Sequence, residues 1–174
     1  MKFAKMFLFV FALVLVCANL ARANAPQQVD KDYLSAVEAD KIRDAETTND
    51  RIRLFITFAE DRIKKFQYEL DHPSSNRHQD MLNGLLNAYV GCIDDAADLI
   101  QLGIEKQENI HSGIELMATK SKEFLELLDK WSKGPETDVY KDNLDDAVEG
   151  TRDALKEAEA AKKKVAPPPV RRKN

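Results

Sequence analysis

The chain has 174 residues, with 30 acidic side chains against 26 lysines and arginines and a formal charge of −4. That length suits one domain of ordinary size. The acidic balance argues against a nucleic-acid partner, which requires a basic face. Two cysteines are too few for a disulfide framework, which leaves an apolar core to hold the fold.

The first segment has the layout of a secretory signal. Lys2 and Lys5 form a short positive region, and "MFLFVFALVLVC", Met6 to Cys17, is an uncharged apolar core of about a dozen residues. A small-residue site at Ala21-Arg22-Ala23 places cleavage before about Asn24. The apolar core is shorter than the ~20 residues a membrane span needs. Residues 1–23 are therefore expected to be removed and the product exported, periplasmic or extracellular, with no transmembrane segment. Loss of Lys2, Lys5 and Arg22 takes the charge from −4 to −7. The remaining thiol, Cys92, lies on an apolar stripe and reads as a buried small hydrophobe.

A linker at 24–29 leads into a helical domain over 30–163. "NDRIRLFITFAEDRIKKFQYEL", Asn49 to Leu70, looks strand-like at first, because apolar residues nearly alternate in "IRLFITF". The spacing of Ile52, Phe55, Ile56, Ala59, Ile63, Phe66 and Leu70 is helical, however. Glu60–Lys64 and Asp61–Lys65 are i,i+4 pairs in the favourable order. "ETTND", Glu46 to Asp50, is a soft break without Gly or Pro, and Leu34, Val37, Ile42 and Ala45 continue the rhythm upstream of it, so a first helix is expected over about 30–71. "HPSSN", His72 to Asn76, is a firm turn, because Pro73 disfavours helix at the residue before it and Ser75 or Asn76 can cap the next one.

The second helix is expected over about 76–132. Its stripe runs Leu82, Leu85, Tyr89, Cys92, Ala96, Leu99 and Gly103, then Ile110, Ile114, Met117, Ser121, Phe124, Leu128 and Trp131. "KGPETD" ends it, with Gly134 as a stop and Pro135 near the next start. A thinner stripe, Tyr140, Leu144, Ala147, Thr151, Ala154 and Ala158, marks a third helix over about 137–163. The fold class is all-α, an elongated antiparallel three-helix bundle built on a helical hairpin. The alternative is a compact four-helix bundle in which the middle helix folds back between 103 and 113. "VAPPPVRRKN" cannot join a bundle, and 164–174 reads as a disordered, Pro-rich basic tail. Its Arg171, Arg172 and Lys173 form a candidate tether to an anionic surface.

In the three-helix arrangement the short last helix cannot cover the whole hairpin. Both arms carry a second apolar stripe, Leu54 and Phe58 on one and Leu86, Val90 and Ala97 on the other. Uncovered apolar surface of this kind marks an interaction face, so Leu54, Phe58, Leu86 and Val90 are the candidate partner-binding residues. Gly84, Ala88 and Gly91 form a ridge of small residues that permits close approach. Arg51, Arg53, Arg62, Lys64 and Lys65 make the first helix locally basic, as solvated charge or as a docking face.

Catalytic chemistry finds little support. Glu69-x-x-His72 and Glu108-x-x-His111 resemble the ligand spacing of di-iron bundles, yet His72 precedes Pro73 and Glu108 lies off the apolar stripe. His72 and His78 flank a turn where histidines are mostly solvated. Asp94, Asp95 and Asp98 lack the Gly-centred loop of a calcium site. No Ser/His/Asp ordering, nucleotide loop, HExxH or CxxC occurs, so no catalytic residue, metal ligand or cofactor is assigned. The expectation is an exported, non-enzymatic helical interaction or scaffold protein that associates with itself or with an envelope partner. A carrier of lipid or another apolar ligand comes second, and a metal-binding bundle third.

Overall fold

The structure, a computed structural model, describes residues 32–165. The signal, linker and basic-tail expectations, Arg171, Arg172 and Lys173 included, lie outside the described residues. Within them the three-four rhythm folds as helix throughout, with no strand. The helices are α1 (Ala36–Asp44), α2 (Thr48–Asp71), α3 (His78–Glu105), α4 (His111–Trp131) and α5 (Lys141–Lys164), with one 3₁₀ turn at Thr137–Val139. No helix among the described residues is long and apolar enough to cross a membrane.

Two of the expected helices are broken. The helix expected over 76–132 ends at Glu105 and restarts at His111, and the reason is local. Gln107 has φ 56°, the left-handed conformation that ends a helix. The Glu108 N–H donates to the Gly103 carbonyl at 2.9 Å and the Gln107 N–H to that of Ile104 at 3.1 Å. This is the Schellman pairing, which satisfies carbonyls that the helix end would leave open. Ile110 then folds back onto Gly103, where any β-carbon would lie 2.8 Å from its side chain. The fold-back anticipated near 103–113 is thus what occurs, and the continuous middle helix of the elongated three-helix bundle is not.

The helix expected over 30–71 breaks at residues 45–47. Ala45 is extended (φ −66°, ψ 123°), as is Thr47 (φ −119°, ψ 153°), and Thr47 caps α2 by accepting from the Asp50 N–H. Ser35 and Glu38 form a full capping box at the start of α1. Both starts follow the Ser/Thr-x-x-acid pattern, in which a side-chain oxygen takes up an orphan N–H.

Helices α2 to α5 make a four-helix bundle arranged α2–α3–α5–α4 around its axis. α2 and α4 run parallel, joined near one end by Asn49–Ser112 and near the other by Trp131–Gln67. α3 and α5 also run parallel, from Asn83–Asn143 through Tyr89–Thr151 to Gln101–Glu157. Consecutive helices α3 and α4 therefore lie across the diagonal. Sitting between α2 and α5, α3 needs a wide apolar face. It buries Leu82, Leu86, Tyr89, Cys92, Ile93, Ala96, Ile100 and Gly103, while Leu85 and Leu99, expected on the stripe, are only half-buried.

The core is large enough for the bundle to stand by itself. Ile52, Leu82, Leu86, Ile110, Ile114, Met117, Leu128 and Leu144 are fully buried, and each such side chain contributes roughly 1.5–3 kcal/mol relative to exposure. Phe66, Trp131 and Tyr140 cluster at one end, Trp131 tilted and Tyr140 edge-on to Phe66, with ring centroids 4.6 and 5.1 Å from it. By contrast α1 buries no side chain of its own.

Candidate functional site

The second apolar stripe of α2 continues into a charge. Leu54, Phe58 and Arg62 follow at intervals of four, which places them along one face of the helix. Phe58 is 6 % exposed, and the Arg62 side chain only 8 %. A guanidinium is buried at reasonable cost only when fully partnered, and the partners come from the segment before α2. Arg62 donates to both carboxylate oxygens of Glu38 at 2.6 and 2.7 Å, to Asp61 at 2.9 Å, and to the Tyr33 carbonyl at 3.2 Å. Two parallel bonds to one carboxylate are the strongest form of this pairing.

The hydrogen bond from Arg62, aided by those from Ser35, holds the Glu38 carboxyl down at about 2, and the Glu38 carboxylate raises the Arg62 pKa further. Glu38 is itself fixed by the capping box, accepting from the Ser35 N–H at 2.9 Å and hydroxyl at 2.8 Å. One residue thus starts α1 and fastens it to α2.

Residues 32–45 form a strap over the α2/α3 face, running antiparallel to α2. Glu38 sits beside Arg62 at one end, and Arg51 donates to the Ala45 carbonyl at 3.2 Å at the other. Tyr33 lays its ring against Gly91 of α3 so closely that an added β-carbon would lie 2.8 Å from it. Tyr33, Leu34 and Ile42 pack half-buried against the core. Val37 points away, 65 % exposed. Of the four candidate partner residues, Leu86 is 0 % exposed and part of the bundle core, Phe58 is buried, and Leu54 and Val90 are half-buried. As folded, the stripe is not an open surface.

The other singled-out residues separate. Gly91 receives Tyr33, whereas Gly84 is exposed with nothing within 4 Å, so the small residues do not act as one ridge. Of the basic set, Arg62 is buried, Arg51 holds the strap's end, and Lys64 and Lys65 make i,i+4 pairs with Glu60 and Asp61. Arg53 is exposed, with its Nη2 3.5 Å from the Ser112 hydroxyl. Cys92 is buried, and its sulfur lies within electrostatic reach of Arg62. His72 stacks on Tyr68 at 4.4 Å, and His111 pairs with Glu115 at 3.3 Å rather than with Glu108. Asp94 and Asp98 are exposed and Asp95 half-buried. No group of three or more His, Cys, Asp or Glu side chains among the described residues is placed to hold a metal.

A second polar cluster lies where α2 ends and α3 begins. Glu69, buried, accepts from the Ser74 N–H at 2.8 Å, the Ser74 hydroxyl at 2.7 Å and His78 Nδ1 at 2.8 Å, while His78 Nε2 meets Glu136 at 3.0 Å. Only an imidazolium can donate from both ring nitrogens, and the two carboxylates raise the His78 pKa. The Ser74 backbone N–H, with His78 and the Ser74 hydroxyl, holds Glu69 down at about 2. Ser74 is thereby committed to Glu69, and α3 starts at Arg77 without a side-chain cap instead of on Ser75 or Asn76.

The pairing of Glu38 with Arg62 and the Glu69–His78–Glu136 series join residues too far apart in the chain for any spacing to mark them. The signals available were Ser35-x-x-Glu38 and Thr47-x-x-Asp50, each marking a separate helix start. Compared with known protein families, curated proteins and solved structures, the chain matches none.

Proposed function

We propose that this chain is an exported, non-enzymatic helical interaction protein whose association face is the α2/α3 stripe, closed at rest by its own strap. The observation that carries the reading is a buried arginine on an apolar face, partnered by a segment whose short helix has no fully buried side chain. An isolated nine-residue helix is unstable in water, so α1 exists on the strength of its docking contacts. A cover held by one ion pair and a few half-buried side chains detaches far more cheaply than the bundle unfolds. Once detached, it leaves Leu54, Phe58 and Val90 in the open, an apolar patch around a positive charge. That composition suits a partner helix carrying apolar residues and a carboxylate.

Gly91→Ala tests this, because the added methyl collides with the Tyr33 ring while improving the propensity of α3 by about 1 kcal/mol. The expected result is a bundle that keeps its helix content apart from α1, with a several-fold rise in the fluorescence of an apolar dye. A variant that frees its strap to protease yet stays dye-silent refutes the reading.

A further inference from the structure

We infer that the occupant of the opened α2/α3 face is the strap of a second copy, so that two chains associate by exchanging residues 32–45. This rests on the reading of that face as an association surface and goes further in naming what fills it. The face is already complementary to one sequence, Tyr33-Leu34-Ser35 followed by Glu38 and Ile42. Glu38 answers Arg62 with two bonds, Tyr33 fits the missing side chain of Gly91, and the Tyr33 carbonyl takes the remaining Arg62 bond. A second copy brings every one of these groups at no design cost, and exchange is isologous, so it closes at two chains.

The connection favours exchange. Only Ala45, Glu46 and Thr47 separate α1 from α2, and a short hinge that opens is the usual route to swapping. Opening it does not loosen the bundle, because α2 is anchored just past the hinge. Asn49 accepts from the Gly113 N–H at 2.8 Å and bonds Ser112, which ties the start of α2 to the start of α4. The strap contacts are identical within one chain and between two, so the closed monomer is favoured by local concentration, in the millimolar range for a short linker. The exchanged dimer gains when the contact within one chain is spoiled and the contact between chains is not.

That condition can be built with charge. Glu38→Arg on one chain and Arg62→Glu on another each place like charges together within the chain and in any homodimer. Mixed, they satisfy both sites only by exchanging straps. Native mass spectrometry of the mixed full chains is expected to show a 1:1 heterodimer at least about tenfold above either homodimer, the ratio that corresponds to 1.4 kcal/mol. The chain carrying both substitutions restores the pair within itself and serves as the folding control, expected monomeric. If each single variant binds apolar dye but no heterodimer forms, exchange is wrong and the face remains an association surface for something else. If neither dye nor heterodimer appears, both readings fall. Should a single variant fail to fold, wild-type chains of two masses, unfolded and refolded together at millimolar concentration where exchange competes with closure, supply the test. Mixed dimers support exchange, and their absence at that concentration overturns it.

Discussion

Gln107 shows how much a single backbone angle decides. In the left-handed region a residue with a β-carbon is strained by roughly 1–2 kcal/mol relative to glycine, and here that strain turns what would be one helix into α3 and α4. Gln107 is exposed, so replacing it loses no packing. Gln107→Gly relieves the strain but adds freedom to the unfolded chain, costing about 0.5–1 kcal/mol. The net expectation is a gain of up to about 1 kcal/mol, read as a higher denaturant midpoint at unchanged slope. A loss would mean that the turn depends on the glutamine side chain.

His78 makes a pH prediction of definite sign. Its pKa is raised in the fold, so its stabilisation is complete below the ordinary imidazole value of 6.5 and is lost as pH rises through the elevated one. Glu69, held down at about 2, works the other way. Its contribution is present above 4.5 and disappears as pH falls toward 2. Stability should therefore peak between about pH 5 and 6 and decline as pH rises above 6.5. Because Glu136 is half in solvent, the alkaline decline is modest, roughly 2–4 °C for about 1 kcal/mol. Melting curves of His78→Gln should lack it, and a variant with the same alkaline slope would show that His78 is not the group responsible.

At the scale of elements, the helices differ in how well the sequence announced them. α4 and α5 bury Ile114, Met117, Ser121, Phe124, Leu128 and Trp131, and Leu144, Ala147, Thr151, Ala154 and Ala158, the residues their spacing singles out. α2 adds Phe58, Arg62 and Glu69 to its stripe, and α3 turns part of its stripe by one position. Periodicity records that a residue is buried and is silent about what buries it. A stripe covered by a partner and one covered by the same chain's strap read alike, so the extra apolar residues were legible and their cover was not. The hinge carries neither Gly nor Pro, leaving the two capping patterns as its only local mark.

The strap has its own energetics. Removing one member of a buried ion pair normally costs 3–5 kcal/mol, because the other charge is left dry. Here the loss is capped, since Arg62 regains water once the strap lets go. Glu38→Gln should lower the melting temperature of the bundle by only a few degrees while raising the rate of proteolysis within 32–45 at least about tenfold, the factor for 1.4 kcal/mol of local opening. Equal losses of strap and bundle stability would contradict a separate latch.

The described residues make two parts, a bundle and a strap. A four-helix bundle, closed at one end by Asn49 and at the other by Phe66, Trp131, Tyr140 and the Glu69–His78–Glu136 series, supplies a rigid frame. Its diagonal α3–α4 connection leaves α2 and α3 as a neighbouring pair whose outer face the strap covers. The all-α class was evident from composition and spacing. The helix order around the axis was not, because it depends on which way a five-residue turn crosses the bundle. Hydrogen exchange of the backbone amides of 36–44 against those of α2 to α5 tests the detachable cover most directly. The account predicts that α1 exchanges at least about a hundredfold faster than the core, an opening cheaper by roughly 3 kcal/mol, while the core amides stay protected. Exchange of α1 at the same free energy as the core, opening only when the bundle unfolds, would contradict it.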